Sequence, residues 1–320
     1  MTQIITDIDK AAEELIRGNV VGLPTETVYG LGANALNPEA VLKIFEVKER
    51  PKFNPLIVHV LREDLDKYVS DIPENILKLI EEFSPGPITY VLKRKEIIPD
   101  IVSAGLETVA IRIPSHETFR KILEITDLPV SAPSANRFGK LSPTSAEDVL
   151  KELEGKIDYI LDGGKSVIGI ESTVVSHIDG EIEILRHGYI SREDIEKVVG
   201  KVREKEENIE DMNVKPASPG MLKSHYAPNT PLYITNLELI KSYSDKDKVG
   251  VLDLQKFDDL KELAVNLFSE MRRLDEQGYD YIITSKVRNE GIGRAINDRL
   301  LRAAKGFLIN VNNKIKIIEK

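Results

Sequence analysis

Between Lys201 and Asn213 the chain reads KVREKEENIEDMN, a charged run with almost no core residues. No packed interior carries such a run, because Lys, Glu and Arg are almost never fully buried unless paired. It reads either as a linker or as one solvated helix face. On both sides of it, short apolar strands alternate with amphipathic helices. The run therefore divides the chain into two α/β stretches, the first about twice as long as the second.

In the first stretch, helical spacing marks Asp9–Arg17, Pro38–Lys48, Glu74–Phe83, Glu117–Ile125 and Ala146–Leu153, with Ile195–Val199 in a further helix. Pro38 suits a first helical turn. Strands are expected at Val20–Leu23, Leu56–Val60, Thr89–Leu92, Val109–Ile113, from Val130, and at Tyr159–Leu161, Thr173–Ser176 and Ile182–Leu185. Their shortness and uneven connections favour a mixed sheet over a regular βαβ winding. In the second stretch, strands at Leu232–Ile234, Val249–Leu252 and Tyr281–Thr284 alternate with helices at Leu260–Leu274 and Ile296–Ala304, the pattern of a small doubly wound unit.

The chain of 320 residues holds no Cys, which excludes disulfides, thiolate catalysis and Cys-ligated metals. It shows no basic start followed by an apolar run and no apolar stretch near the roughly 20 residues of a membrane span. The expected location is the cytoplasm, with no membrane partner. The formal net charge of −9 argues against a surface given over to gripping a nucleic-acid backbone. An acidic chain that takes an anionic ligand must gather its cations in one place.

Two phosphate motifs fail. Gly163-Gly164-Lys165-Ser166 ends like a Walker loop, but Tyr159 occupies the position of its first glycine. Gly30-Leu31-Gly32-Ala33-Asn34-Ala35 matches a dinucleotide fingerprint, yet Pro24–Tyr29 separates it from the preceding strand. A nucleotide here would be held by side chains more than by a glycine loop. The candidates are Lys48 and Arg50, whose spacing puts both on one face if the segment is extended, and Arg112, a costly residue inside an apolar strand. Ser131–Asn136 adds a run of small residues and hydroxyls, and Glu171-Ser172-Thr173 and Arg186 lie at strand ends, as do His59 and His116. Each has a plainer reading: helix C-terminal charge, structural ion pair, simple turn or half-buried histidine. Ligands of open α/β sheets bind at strand ends.

PTETVYGLG, then Lys48-x-Arg50 with NPLIVH, then Ser134-Ala135-Asn136, resembles the Sua5/YrdC family of threonylcarbamoyl-AMP synthases, whose K-x-R…S-x-N signature these residues match. Ser218-Pro219-Gly220-Met221…His225-Tyr226-Ala227-Pro228 and Gly291–Arg299 resemble the linker and C-terminal motifs of the longer Sua5 branch, so the likeness covers nearly the whole chain. It implies a YrdC-like twisted mixed sheet with helices over 1–203, a linker crossing the active site over 204–230, and a smaller Rossmann-like three-layer α/β domain over 231–320. It also implies the reaction: L-threonine, bicarbonate (or CO2) and ATP give threonylcarbamoyl-adenylate and pyrophosphate. A separate transferase complex then carries the group to adenosine 37 of tRNA.

Carried over by resemblance, Thr27, His59, Arg112, Ala132 and Ser172 fall at threonine-contacting positions. Arg50, Asn54, Thr108, Ser134, Asn136, Ser142, Arg186 and Tyr226 fall at ATP-contacting positions. Lys48 and Arg50 carry the catalysis, with Lys48 facing the phosphates. Thr25 and Glu26 shape the turn, and Gly30 and Gly32 let backbone approach substrate. Mg²⁺ is expected with ATP, with no organic prosthetic group, and any contact with tRNA is weak or indirect. His187 stands where the family has proline, which puts the placement of Arg186 in question. The rival readings are a double-stranded RNA or tRNA binding module, a regulator of translation initiation, and a carbamoyl-transferring relative. The last carries zinc-finger-like regions that this Cys-free chain cannot build.

Overall fold

The computed structural model of the chain describes residues 1–204, 225–241, 248–311 and 314–320. Most of the expected linker, including Ser218–Met221, lies outside the described residues. Two sheets organise the rest. The larger has twelve strands. Eleven of them run edge to edge as Gln3–Ile5, Tyr159–Leu161, Val21–Leu23, Gly30–Asn34, Val130–Ser131, Ile57–His59, Thr108–Arg112, Ile88–Arg94, Thr173–Ile178, Glu181–Arg186 and Arg203–Glu204, and Val69–Ser70 pairs beside Ile88–Arg94. Parallel and antiparallel neighbours mix, as the uneven connections led one to expect.

The smaller sheet runs Val249–Leu252, Tyr281–Thr284, Leu232–Ile234, Gly306–Val311 and Lys314–Glu319. The first four strands are parallel and the last is antiparallel. Helices Leu260–Asp275 and Gly293–Ala303 pack one face through Leu267, Phe268, Ile296 and Leu300. Leu239 of helix Leu237–Lys241 packs the other face against Ile283 and Leu308, which makes three layers.

Gly30–Asn34, expected only to lead into a helix, is a strand paired with Val21–Leu23, so PTETVY is the loop of a hairpin. Glycine disfavours strands, which hides this one in sequence. A Cβ on Gly32 would stand 2.5 Å from Leu23 Cδ1, so this glycine makes room for core packing and not for substrate. The helix Pro38–Lys48 starts on an Asn37 cap and stops at Glu49, which is left-handed (φ 54°). Lys48 to Arg50 is therefore not extended, and the spacing argument for a shared face does not apply.

The two sheets are joined by a common apolar cluster. Val28, Leu141, Ile168 and Ile170 of the first stretch pack with Leu263, Ala264, Leu267 and Ile296 of the second. Gly169 (φ 77°) lies so close to helix Leu260–Asp275 that a Cβ there would meet Ala264 O at 2.5 Å. Ion pairs fringe the contact: Arg272 with Asp148 and Glu152 (both 3.1 Å), and Arg294 with Glu193 (2.7 Å).

Candidate active site

Strands Ile57–His59 and Thr108–Arg112 run parallel and in register, so His59 and Arg112 stand side by side at their C-terminal ends. The hairpin loop comes over them. Thr25 Oγ1 accepts from the Thr27 and Val28 amides (3.1 and 3.2 Å) and donates to the Val28 carbonyl (2.6 Å). The Thr25 and Thr27 hydroxyls lie 2.9 Å apart, within hydrogen-bond distance. Arg112 Nη1 donates to Thr27 Oγ1 at 2.8 Å, which leaves Thr27 one lone pair to offer. Arg112 Nη2 lies 2.7 Å from Glu26 Oε1, a buried ion pair, and the Ser115 amide also donates to that carboxylate. Burial alone would raise the pKa of Glu26, but the Arg112 charge and hydrogen bond outweigh it and hold the carboxyl at about 2.

His59 is buried against Phe119, ring centres 4.9 Å apart. Its Nδ1 faces the Val130 carbonyl at 3.3 Å, and its Nε2 has no protein partner among the described residues. Burial, and then the Arg112 charge, push its pKa down to about 3. The ring is therefore neutral at pH 7, with the proton on Nδ1 and a free acceptor at Nε2.

Thr25, Thr27, His59 and Arg112 line one end of a cleft of about 520 Å³, open solvent at its mouth included. Arg50, Ser134, Arg186, His225 and Tyr226 line it as well, with Glu171 and Ser172 completing the wall. Arg50 donates to the carbonyls of Asn54 and Pro55 and has no carboxylate partner among the described residues. Burial, aided by Arg186, lowers its pKa to about 9, against an opposing pull from Tyr226. It keeps its charge at neutral pH. Arg186 donates to the Ser172 carbonyl (2.9 Å) and hydroxyl (3.1 Å), and Thr89 shares that hydroxyl at 2.8 Å. His187 in place of proline leaves Arg186 on the cleft wall.

Among the described residues, three arginines and one carboxylate thus face the cleft of a chain whose net charge is −9. The carboxylate, Glu171, is itself engaged by Ser142 (2.5 Å) and by Arg299 (3.0 Å) of the second unit. Tyr226, at φ 63°, is fully buried against Phe268, beside His225. The Ala227 amide bonds the Gly139 carbonyl, so this segment lies across residues 137–140 and closes one side.

Of the expected residues, Thr27, His59, Arg112, Ala132 and Ser172 line the cleft together with Arg50, Ser134, Arg186 and Tyr226. Five expected residues do not. Lys48 is buried under the Ser134–Asn136 turn, its Nζ 2.5 Å from the carbonyls of Ser134 and Asn136, and does not face the cleft. Burial and the neighbouring Arg50 push its pKa well below the ordinary value. Asn136 braces the same turn through the Arg137 and Lys140 carbonyls. Ser142 is spent on Glu171. Asn54 is fully buried, with both amide atoms lacking partners among the described residues. Thr108 stands at the far end of the strand from Arg112. His116 is also outside the cleft lining. Glu171, Tyr29 and His225 line it without having been assigned a role from the sequence. All three stood inside motifs already singled out: Tyr29 in PTETVYGLG, Glu171 in Glu171-Ser172-Thr173 and His225 in His225-Tyr226-Ala227-Pro228.

Comparison with known proteins places the chain in a family. The Sua5–YciO–YrdC family model, described as "Telomere recombination", matches residues 13–188. A second, described as "Threonylcarbamoyl-AMP synthase, C-terminal domain", matches residues 190–305. A threonylcarbamoyl-AMP synthase of Pyrococcus abyssi is 40% identical over 93% of this chain and 94% of its own. One of Bacillus subtilis is 41% identical over 94% of each. The crystal structure of P. abyssi Sua5 complexed with L-threonine superposes with a TM-score of 0.89 at 39% identity, covering 95% of this chain and 98% of that one.

Proposed function

The chain belongs to the Sua5/YrdC family of threonylcarbamoyl-AMP synthases, and on that premise we propose how its cleft makes threonylcarbamoyl-adenylate from L-threonine, bicarbonate (or CO2) and ATP. The observation that carries this reading is the division of labour along the cleft. One end offers a guanidinium flanked by two acceptors, and the other gathers two further guanidinium groups.

The first end suits an amino acid. Arg112 Nη1 donates to Thr27 and Nε donates weakly to the Gly86 carbonyl, while Nη2 pairs with Glu26 by charge and makes no hydrogen bond among the described residues. N–H groups thus stay available for the carboxylate of threonine, which guanidinium holds bidentately. The Thr27 lone pair and His59 Nε2 accept from the amine and hydroxyl. A histidine with a pKa near 3 is a poor base at pH 7, so His59 orients the amine and does not deprotonate it.

The other end suits a triphosphate. The threonine amine, in its neutral form, attacks CO2 and releases a proton to solvent; the carbamate oxygen then attacks the α-phosphate, and pyrophosphate leaves. No covalent enzyme intermediate is needed, which fits a chain without Cys. Arg50 and Arg186 stabilise the charge that builds on phosphorus, and the cleft supplies positioning. Lys48 contributes by holding the Ser134–Asn136 turn.

No cluster of three His, Asp or Glu among the described residues is arranged to hold a metal, and Glu171 is occupied by Ser142 and Arg299. The Mg²⁺ expected with ATP is best read as arriving on the phosphates, as Mg²⁺ commonly does. The product would pass to a separate transferase acting on adenosine 37 of tRNA. Labelled bicarbonate tests the reading. Label should enter an adenylate only when threonine and ATP are both present, and incorporation without threonine would overturn it.

A further inference from the structure

Arg299 lies on helix Gly293–Ala303 of the second unit, wholly buried and beyond any contact with solvent. Its Nε donates to Glu171 Oε2 at 3.0 Å, and its Nη1 donates to the His187 carbonyl at 2.5 Å. Its guanidinium carbon stands 5.6 Å from the centre of the Tyr226 ring, a cation–π distance. Glu171 directly precedes Ser172, and His187 directly follows Arg186. One side chain therefore grips the outer flanks of the two segments that carry Ser172 and Arg186 into the cleft, and it backs the tyrosine that closes it. Those two segments are already bonded across by Arg186 to Ser172. A fully buried arginine is costly in a protein unless its pairing is demanded by something else, and packing alone would be served by an apolar side chain of similar volume.

We infer that Arg299 is a positioning residue for the nucleotide end of the cleft, through which docking of the second unit fixes where Arg186 and Tyr226 stand. The inference rests on the functional reading above and names the part of the site that depends on the second unit. Of the residues at threonine-contacting positions, Thr27, His59, Arg112 and Ala132 lie on segments that Arg299 does not hold, and only Ser172 lies on one that it does. Removing its grip should therefore weaken nucleotide binding more than threonine binding.

The test uses the full chain with Arg299→Lys, which keeps the charge but cannot reach Glu171, the His187 carbonyl and the Tyr226 face together. Glu171→Gln and the double variant complete the cycle. Calorimetry with a non-hydrolysable ATP analogue and, separately, with L-threonine gives the dissociation constants. Arg299→Lys should raise that of the analogue by about tenfold, leave that of threonine within about twofold, and lose most of its effect in the Glu171→Gln background. Equal losses for both ligands, or a lowered melting temperature with both constants unchanged, would overturn the inference. If Arg299→Lys does not fold, Glu171→Gln alone decides: unchanged analogue binding overturns it. Because binding is the readout, a wild-type chain that binds the analogue but makes no adenylate would refute the functional reading and still test this one. A wild-type chain that binds no analogue would overturn both.

Discussion

Arg112 is the residue asked to do most. It must hold Glu26 and Thr27 in place and still present two N–H groups to a carboxylate. Lysine keeps the charge beside Glu26 but loses the fork. Arg112→Lys should therefore raise the KM for threonine by about 50-fold while changing that for ATP little, as steady-state kinetics will show. Glu26 makes the same pair visible through pH. Its carboxyl is held near 2 in the folded chain against an ordinary 4.5, so its contribution to stability is complete above about pH 4.5 and is lost as pH falls toward 2. That contribution is about 3 kcal/mol by linkage. Urea unfolding at pH 6 and pH 3 should show a steeper acid loss in wild type than in Glu26→Gln. Threonine binding should show no His59 titration between pH 5.5 and 8, because that ring stays neutral throughout. Arg112, Thr27 and His59 could be singled out from sequence because strand ends and a dense motif both point to them. Lys48 could not be placed, since the left-handed turn at Glu49 is invisible before folding. Glu171 and Arg299 stand 128 positions apart, and nothing local in either segment announces the pair.

Helices and strands with clean periodicity were legible almost to the residue, among them Pro38–Lys48 and Glu74–Phe83. Elements that depend on distant packing were not. Gly30–Asn34 is a strand through its pairing with Val21–Leu23 and Val130–Ser131, and its two glycines stand where Leu23 and Ala132 crowd the space of a side chain. Gln3–Ile5 and Lys314–Glu319 went unassigned, since a short or charged strand at a sheet edge carries little apolar signal, and the apolar Gly306–Val311 between Leu232–Ile234 and Lys314–Glu319 went unassigned with them. Gly169 shows the same lesson where two elements meet. It needs a positive φ, and any side chain would strike the backbone of helix Leu260–Asp275. Gly169→Val should destabilise the chain by about 2–4 kcal/mol, through backbone strain and overpacking together. Denaturant melts would register this, and a variant as stable as wild type would mean that the helix does not seat there.

At the scale of the whole molecule, the cleft is built by both units. The first supplies the arginines that face the ligands. The second supplies Arg299 and, through the cluster of Leu263, Leu267 and Ile296, the surface on which Val28, Leu141 and Ile168 are covered. Deleting 201–320 should abolish turnover and leave an apolar face exposed, seen as dye binding or self-association. The two-part organisation was legible in the charged run after Lys201. The contact between the parts was not, because it is made by single residues such as Gly169 and Arg299 inside otherwise ordinary segments. The account's central claim is that one cleft brings an amino acid and a nucleotide together for adenylate formation. Pyrophosphate release from ATP by the purified chain, with and without L-threonine and bicarbonate, tests it most directly. Release that requires both substrates, and that falls at least about a hundredfold in Arg50→Ala, is the predicted result. Release of equal rate without either substrate would contradict it.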